Sequence, residues 1–364
     1  MLRNCQKLEG IIEVRASTHF TTCDVAVSYT KRRRGTFMDV LLEQVVFSVG
    51  ADPYRWEDVM MFAQLRGDWA VLEKRLREGF ACLACLNDFD EELESTEVET
   101  AANEFRYERD LVTAAEAEAW LRQWHLSAEA WMEYVQRSLL RQKWAAQLAE
   151  IVARYPVGKK FIKENLYAEA VCSGALARFA RALAARVAAY HMAVKAGWIA
   201  AAPHVQAADK VALFENTYQR FCDRVVDSKG INNQIQLHHL EWIRFHCRSL
   251  SFPAEEVARE ALLCARDEGM ALEAVAANAK VEIKDMKLYI EEVALPSQNR
   301  FLAAPKGAII GPVEWEGSFA LFVIDEKTLP SADDVDIVQR ARQSLIRSTT
   351  QREIDGRVKW HAQL

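Results

Sequence analysis

Apolar positions along this chain change their period several times, and each change marks an element. From Val40 the run VLLEQVVFSV has the β-branched and aromatic content of a strand, and Gly50 to Pro53 supply a turn. Beyond it, apolar residues recur every three or four positions through WEDVMMFAQLRGDWAVLEKRLREGFACLACLNDF, which predicts two helices parted near Gly67-Asp68. Thr96-x-x-Glu99 and Thr113-x-x-Glu116 have capping-box spacing, so each predicts a helix start. The helix after Ser127 sets Trp131, Val135, Leu139 and Leu148 near one face. Two long helices are then expected. Asn165 to Lys195 carries Leu166, Ala170, Leu183, Val187 and Tyr190, with Gly197 ending it; Val205 to Asp227 carries Phe214, Tyr218 and Cys222, with Gly230 placed to stop it. Ahead of all this, IIEVRAS and DVAVSYT are strand-like, and Lys31 to Gly35 read as a solvated turn.

A second pattern starts at Leu237. LHHLEWIRFHC reads as a strand, and Pro253 then opens FPAEEVAREALLCARDEG at helical period, followed by a short helix, MALEAVAANA. Val281 and Ile283 alternate with charged residues, a helical turn runs through Phe301-Leu302, and GAIIGPVEWEGSFALFVIDEKTLP reads as two antiparallel strands joined across Trp315 to Ser318. The tail is a helix, DVDIVQRARQSLIRSTTQREI, and a strand-like RVKWHAQL whose Val358 and Trp360 are expected to return to the strand around Val45 to Val49.

The order strand–helix–helix–strand–helical turn–strand–strand, with A-x-x-G-x-x-x-G-P-V-x-W-x-G-x-x-x-x-x-V-x-x-K-x-x-P from Ala304 to Pro330, resembles the parvulin (PpiC-type) peptidyl-prolyl isomerase domain. The resemblance puts His246 where that family carries its first active-site histidine. The second would fall beside Gly317, where Ser318-Phe319-Ala320 stand, and Val281 to Asp285 replace the family's glycine-rich bend. Isomerisation lowers a barrier of about 18–20 kcal/mol by holding a twisted amide; without the paired histidines that stabilisation has no obvious source. Upstream, VVFSVGADPYRWEDV and the stretch from Glu97 to Trp144 resemble the N-terminal domain of SurA-type chaperones. AEAVCSGALARFARALAARVAA and AREALLCARDEGMALEAVA are similar to a narrower group, SurA/PpiC-related peptide maturation proteins of pathways that modify ribosomally made peptides, crocagin-type pathways among them. The fold class expected is α+β: a mostly helical SurA-like region at 1–160 with N-terminal strands, a long-helix insert at 161–236, a small antiparallel-sheet domain like parvulin at 237–330, and a helix and strand at 331–364 packing back on the first region.

Composition narrows the function. The 364 residues can fold as two or three domains, and a formal net charge of −6 gives no electrostatic case for nucleic acid or an acidic membrane. MLRNCQKLEGIIEVRAS lacks a secretory pattern and the eight cysteines are scattered, so reduced thiols in the cytoplasm are expected. Cys82-Leu-Ala-Cys85 lies in an apolar helical run with no second pair and reads as two core cysteines rather than a zinc or redox site. His238-His239 and His246-Cys247 do not converge as metal ligands along one strand. No Walker loop, G-x-G-x-x-G, H-E-x-x-H or nucleophile elbow occurs, and neither metal nor cofactor is expected. Of the ten tryptophans, Trp131, Trp144 and Trp242 fall on predicted buried faces. Trp315 and Phe319 in the closing hairpin are the preferred peptide contacts, with Phe301, Met286 and His246 behind them. His246 is equally readable as an isomerase remnant or as a packed histidine. The expectation is a peptide-binding accessory protein, not an enzyme, that holds a ribosomally made precursor through its leader or core for modifying enzymes. An active isomerase and a general holdase are the alternatives, and a homodimer stays open.

Overall fold

The computed structural model describes residues 41–89, 93–202 and 207–362. The strands and turn expected before residue 37 lie outside them. The chain is α+β: helices make up most of it, with one three-stranded and one four-stranded sheet. It divides into two compact units, Met1–Ala180 with Trp360–Leu364, and Arg181–Lys359.

In the first unit, β1 (Val45–Val49) and β2 (Asp52–Arg55) form a hairpin that leads straight into the helix Trp56–Leu65. The short strand β7 (Val358–Trp360) completes the order β2-β1-β7, and Phe47 stacks on Tyr54 at 4.8 Å with Trp360 tilted against it at 5.4 Å. Asp68–Asp88 is the central helix; Ala128–Lys143, Leu148–Arg154 and Lys159–Cys172 pack on it. Cys82 and Cys85 are buried there among Leu140 and Ile151. Thr113 and Glu116 form the expected capping box, and Ser127 caps the next helix through the Ala130 N–H. Thr96 does not cap. The helix Ser95–Tyr107 has Glu94 in the cap position, two residues earlier, and the Thr96 carbonyl accepts from the Thr100 hydroxyl.

Three further expectations shift. The long helix from Asn165 to Lys195 is two helices, Lys159–Cys172 and Ala175–Lys195, because Gly174 takes the left-handed backbone (φ 67°) that only glycine adopts freely. Gly230 does not stop a helix. Ala207–Val225 ends before it, and Gly230 sits in the first turn of Ser228–Leu237, its N–H donating to the Asp227 cap. A Cβ there would lie 2.6 Å from Leu345, so glycine at 230 serves close approach to the C-terminal helix Val335–Arg357. Finally, the strand begins at Arg244, not Leu237. The Trp242 N–H closes a turn onto the His238 carbonyl, the His238 ring stacks on Trp242 at 4.6 Å, and the indole is buried against Ile235, Ile337 and Ala341.

Arg244–Phe252 is β3, Ile283–Tyr289 β4, Ile309–Trp315 β5 and Ser318–Thr328 β6, in the antiparallel order β4-β3-β6-β5. Val281 precedes β4 rather than belonging to it. Alternation sends two apolar sets to opposite faces. On one, Leu250, Phe252, Leu321 and Val323 meet the alanine-rich sides of Glu255–Arg266 and Leu272–Ala279. On the other, Phe245, Cys247, Leu288, Phe322 and Ile324 meet Phe301 from Leu295–Ala303 and Ile290 from the 3-10 turn Ile290–Glu292.

Candidate functional site

The closing hairpin turns through Glu316 (φ 49°) and Gly317 (φ 75°), two left-handed residues in succession, which is the geometry whose twist matches a two-residue hairpin. The Ser318 hydroxyl donates to the Trp315 carbonyl at 2.9 Å and ties the turn shut. This fixes Trp315 at the sheet's end, its ring edge-on to Phe322 at 5.5 Å. Its indole N–H is enclosed and has no acceptor among the described residues.

The sheet separates the five residues singled out from the sequence. Phe301, Met286 and Trp315 belong to one face; Phe319 packs on the other, and His246, between Phe245 and Cys247, points to that other face as well. Phe301 is a core residue rather than a contact: it has no exposed surface and packs edge-on against Phe245 and Phe322 at 5.5 and 5.3 Å. Met286 and Trp315 are half-buried. His246 stands opposite Lys287 and Glu326 across the strands, so the strand residue that shares a face with Met286 and Phe301 is Cys247. Burial, and secondarily Asp325, push the Cys247 thiol up to about 12, which keeps it protonated and unreactive at neutral pH. His246 therefore does not share a face with Phe301 and Met286. Trp242 is buried as expected, whereas Trp131 and Trp144 are half-buried, Trp131 packing on Phe105.

What the sheet does create is a groove of about 920 Å³ beside Trp315. One wall is the hairpin tip; the other is the 3-10 turn and the start of Leu295–Ala303, with Leu240 and Glu241 closing one side. Leu240 and Leu295 are 62 and 79% exposed, so the groove offers apolar side chains that the fold itself does not cover. Five exposed glutamates line it: Glu241, Glu291, Glu292, Glu314 and Glu316. Neither these nor the two leucines were singled out from the sequence. The spacing Glu314-Trp315-Glu316 at a two-residue turn was the legible signal.

A second, more polar hollow of about 560 Å³ lies between Tyr289 and the C-terminal helix. His238 lines it, with Nδ1 engaging Glu241 outside the hollow and Nε2 3.4 Å from the Ser344 hydroxyl. The order of groups is that of an activated serine, yet the chemistry does not follow. Ser344 donates to Gln234 Oε1 at 2.8 Å and sits mid-helix, where neighbouring N–H groups are spent on the helix and leave no donors for an oxyanion. Among the described residues no group of His, Cys, Asp and Glu is placed to hold a metal ion. Burial, then Cys85, push the Cys82 thiol up to about 11, which favours a packing role for the CxxC.

No family model and no curated protein matches this chain. Among solved structures it is similar to the foldase PrsA from Lactococcus lactis, with 10% identity, 86% of this chain and 90% of that one covered, and a TM-score of 0.28. Two chains from structures of the SurA-like chaperones PEB4 and Cj1289 of Campylobacter jejuni also match. One has 12% identity, 73 and 91% coverage and a TM-score of 0.21; the other has 8%, 87 and 99%, and 0.18. Scores this low carry no argument about function, which has to come from the groove. No helix among the described residues is long and apolar enough to cross a membrane.

Proposed function

We propose that this protein is a peptide-holding accessory protein, which keeps an extended segment of a ribosomally made precursor available to the enzymes that modify it, with the cytoplasm as its setting. The observation that supports this most is the open groove in which Leu240 and Leu295 stay exposed beside the rigidly set ring of Trp315. Exposed leucines in a concavity gain apolar burial from a ligand, and an aromatic held by its own turn loses little freedom on contact. The separation of His246 from Phe301 and Met286 favours holding over proline isomerisation.

The test is a titration with synthetic peptides tiling a short precursor encoded beside this chain. Saturable binding confined to some of the tiles, weakened roughly tenfold by Trp315→Ala or Leu295→Ser, is the expected outcome. Equal binding of unrelated unfolded chains points to a general holdase instead. Catalysed isomerisation of a proline peptide that disappears in His246→Ala makes the protein an isomerase.

A further inference from the structure

Resting on the peptide-holding reading, we propose that the groove selects a cationic segment: extended polypeptide in which Lys or Arg side chains flank an apolar residue. The apolar residue meets Leu240, Leu295 and Trp315, and the flanking cations meet the carboxylates above them.

The distribution of charge around the groove carries this. Glu314 and Glu316 stand on the hairpin wall and Glu292 on the facing wall, all exposed. Glu314 and Glu316 have no ion-pair partner among the described residues. Glu292 accepts from the Tyr289 N–H with one oxygen, at 2.7 Å. The other two are already engaged: Glu291 pairs with Arg340, which also stacks on Tyr289 at 3.8 Å, and Glu241 pairs with His238. Nearby cations are turned elsewhere. Arg300 donates to the Gly311 carbonyl and Lys327 to that of Leu302, and neither lines the groove.

The lining of this groove sets carboxylates from the hairpin tip and from the 3-10 turn beside apolar side chains, with no lysine, arginine or histidine among them. At physiological salt the Debye length is about 8 Å, so carboxylates of facing walls act together on a ligand seated among them and only weakly on one outside. The net charge of −6 adds an attractive field for a basic chain at longer range. An acidic segment would meet repulsion from both walls, and a neutral one would gain only the apolar contact. Charge selects here, and leucine and tryptophan hold.

Fluorescence anisotropy with three labelled peptides tests it, each with the same central Leu-Val-Leu flanked by Lys, by Gln or by Glu. Wild-type protein is expected to bind the Lys peptide roughly tenfold or more tighter than the Gln peptide, and the Glu peptide more weakly still. Raising salt to about 0.5 M, or the double substitution Glu314→Gln with Glu316→Gln, should remove most of that preference. Leu295→Ser should weaken the Lys and Gln peptides alike, with circular dichroism confirming the fold of each variant. Equal affinity for all three peptides, still lost in Leu295→Ser, overturns the charge selection and leaves peptide holding intact. A Lys preference untouched by the double substitution moves the site elsewhere and overturns the proposal. Failure of all three peptides while precursor tiles still bind overturns the charge selection alone; failure of both sets removes the peptide-holding reading along with it.

Discussion

The helical unit hides an ion pair in its interior, whereas the sheet unit spreads its carboxylates along an open groove. Arg137 and Glu169 are the buried charged residues among those described, and they meet at 3.2 Å with side chains only 3 and 5% exposed. Glu133 adds a second contact to Arg137 at 3.3 Å, and the guanidinium lies over the Phe80 ring at 4.4 Å. The aliphatic stem of Arg137 runs so close to Gly79 that a Cβ there would sit 2.9 Å away. Such a pair stabilises little on balance, because desolvation offsets its attraction, and it links Ala128–Lys143 to Lys159–Cys172. In the sheet unit no charged side chain is buried among the described residues, and the glutamates of the groove do no comparable structural work. The sheet unit keeps its ion pairs, such as Arg244 with Asp334, nearer the surface, and Glu314 and Glu316 have none among the described residues.

The largest effect should come from breaking the hidden pair. Glu169→Ala leaves Arg137 with the partly exposed Glu133 as its one carboxylate partner and should cost up to about 3–5 kcal/mol, read as a fall in denaturation midpoint. A loss below about 1 kcal/mol in the double variant Glu133→Ala with Glu169→Ala would mean that water reaches the site and that the contrast between the units is false. A smaller effect is expected at Asp334, which caps the C-terminal helix by accepting from the Asp336 and Ile337 N–H groups and pairs with Arg244 of β3 at 2.7 Å. Asp334→Ala should cost about 1 kcal/mol. Partial desolvation pushes this carboxyl up, but the two N–H groups and Arg244 outweigh it and hold it below the usual carboxylate range. Its stabilisation is therefore present above the ordinary carboxylate pKa and lost as pH falls through the depressed folded value. The gap between wild type and Asp334→Ala should narrow in acid, and a constant gap down to the acid limit would remove the ionised cap from the account.

Local signals in the sequence are legible where one residue type has one physical use. The capping box at Thr113, the break near Gly67 and the hairpin across Trp315 to Ser318 all follow from backbone chemistry within a few residues. Within LHHLEWIRFHC, Leu240 and Trp242 mimic a strand because two apolar residues at alternate positions look the same in a strand and in a turn that buries one of them. Stacking on His238 decided it, and that contact depends on a helix start at Ser228. The face of His246 was harder still, since it hinges on whether Cys247 points into the core, which only the pairing of β3 with β4 settles. The groove was least legible. Its glutamates come from the turn before β3, the 3-10 turn and the hairpin tip, segments far apart in the chain that the sheet brings together.

The smallest stability effect sharpens the contrast from the other side. If Glu314 and Glu316 are held for a ligand, replacing both with glutamine should leave the free protein within about 0.5 kcal/mol of wild type, since exposed, unpaired carboxylates lose no fixed partner. Relief of repulsion between the two tip glutamates and Glu292 could raise stability slightly, and that gain should fade as salt screens the charges. A clear destabilisation would show that the carboxylates are tied into the hairpin after all, as Glu169 is tied into the helical core. The same double variant also separates cause from consequence in binding: a protein as stable as wild type that no longer prefers a basic peptide has lost recognition and nothing else.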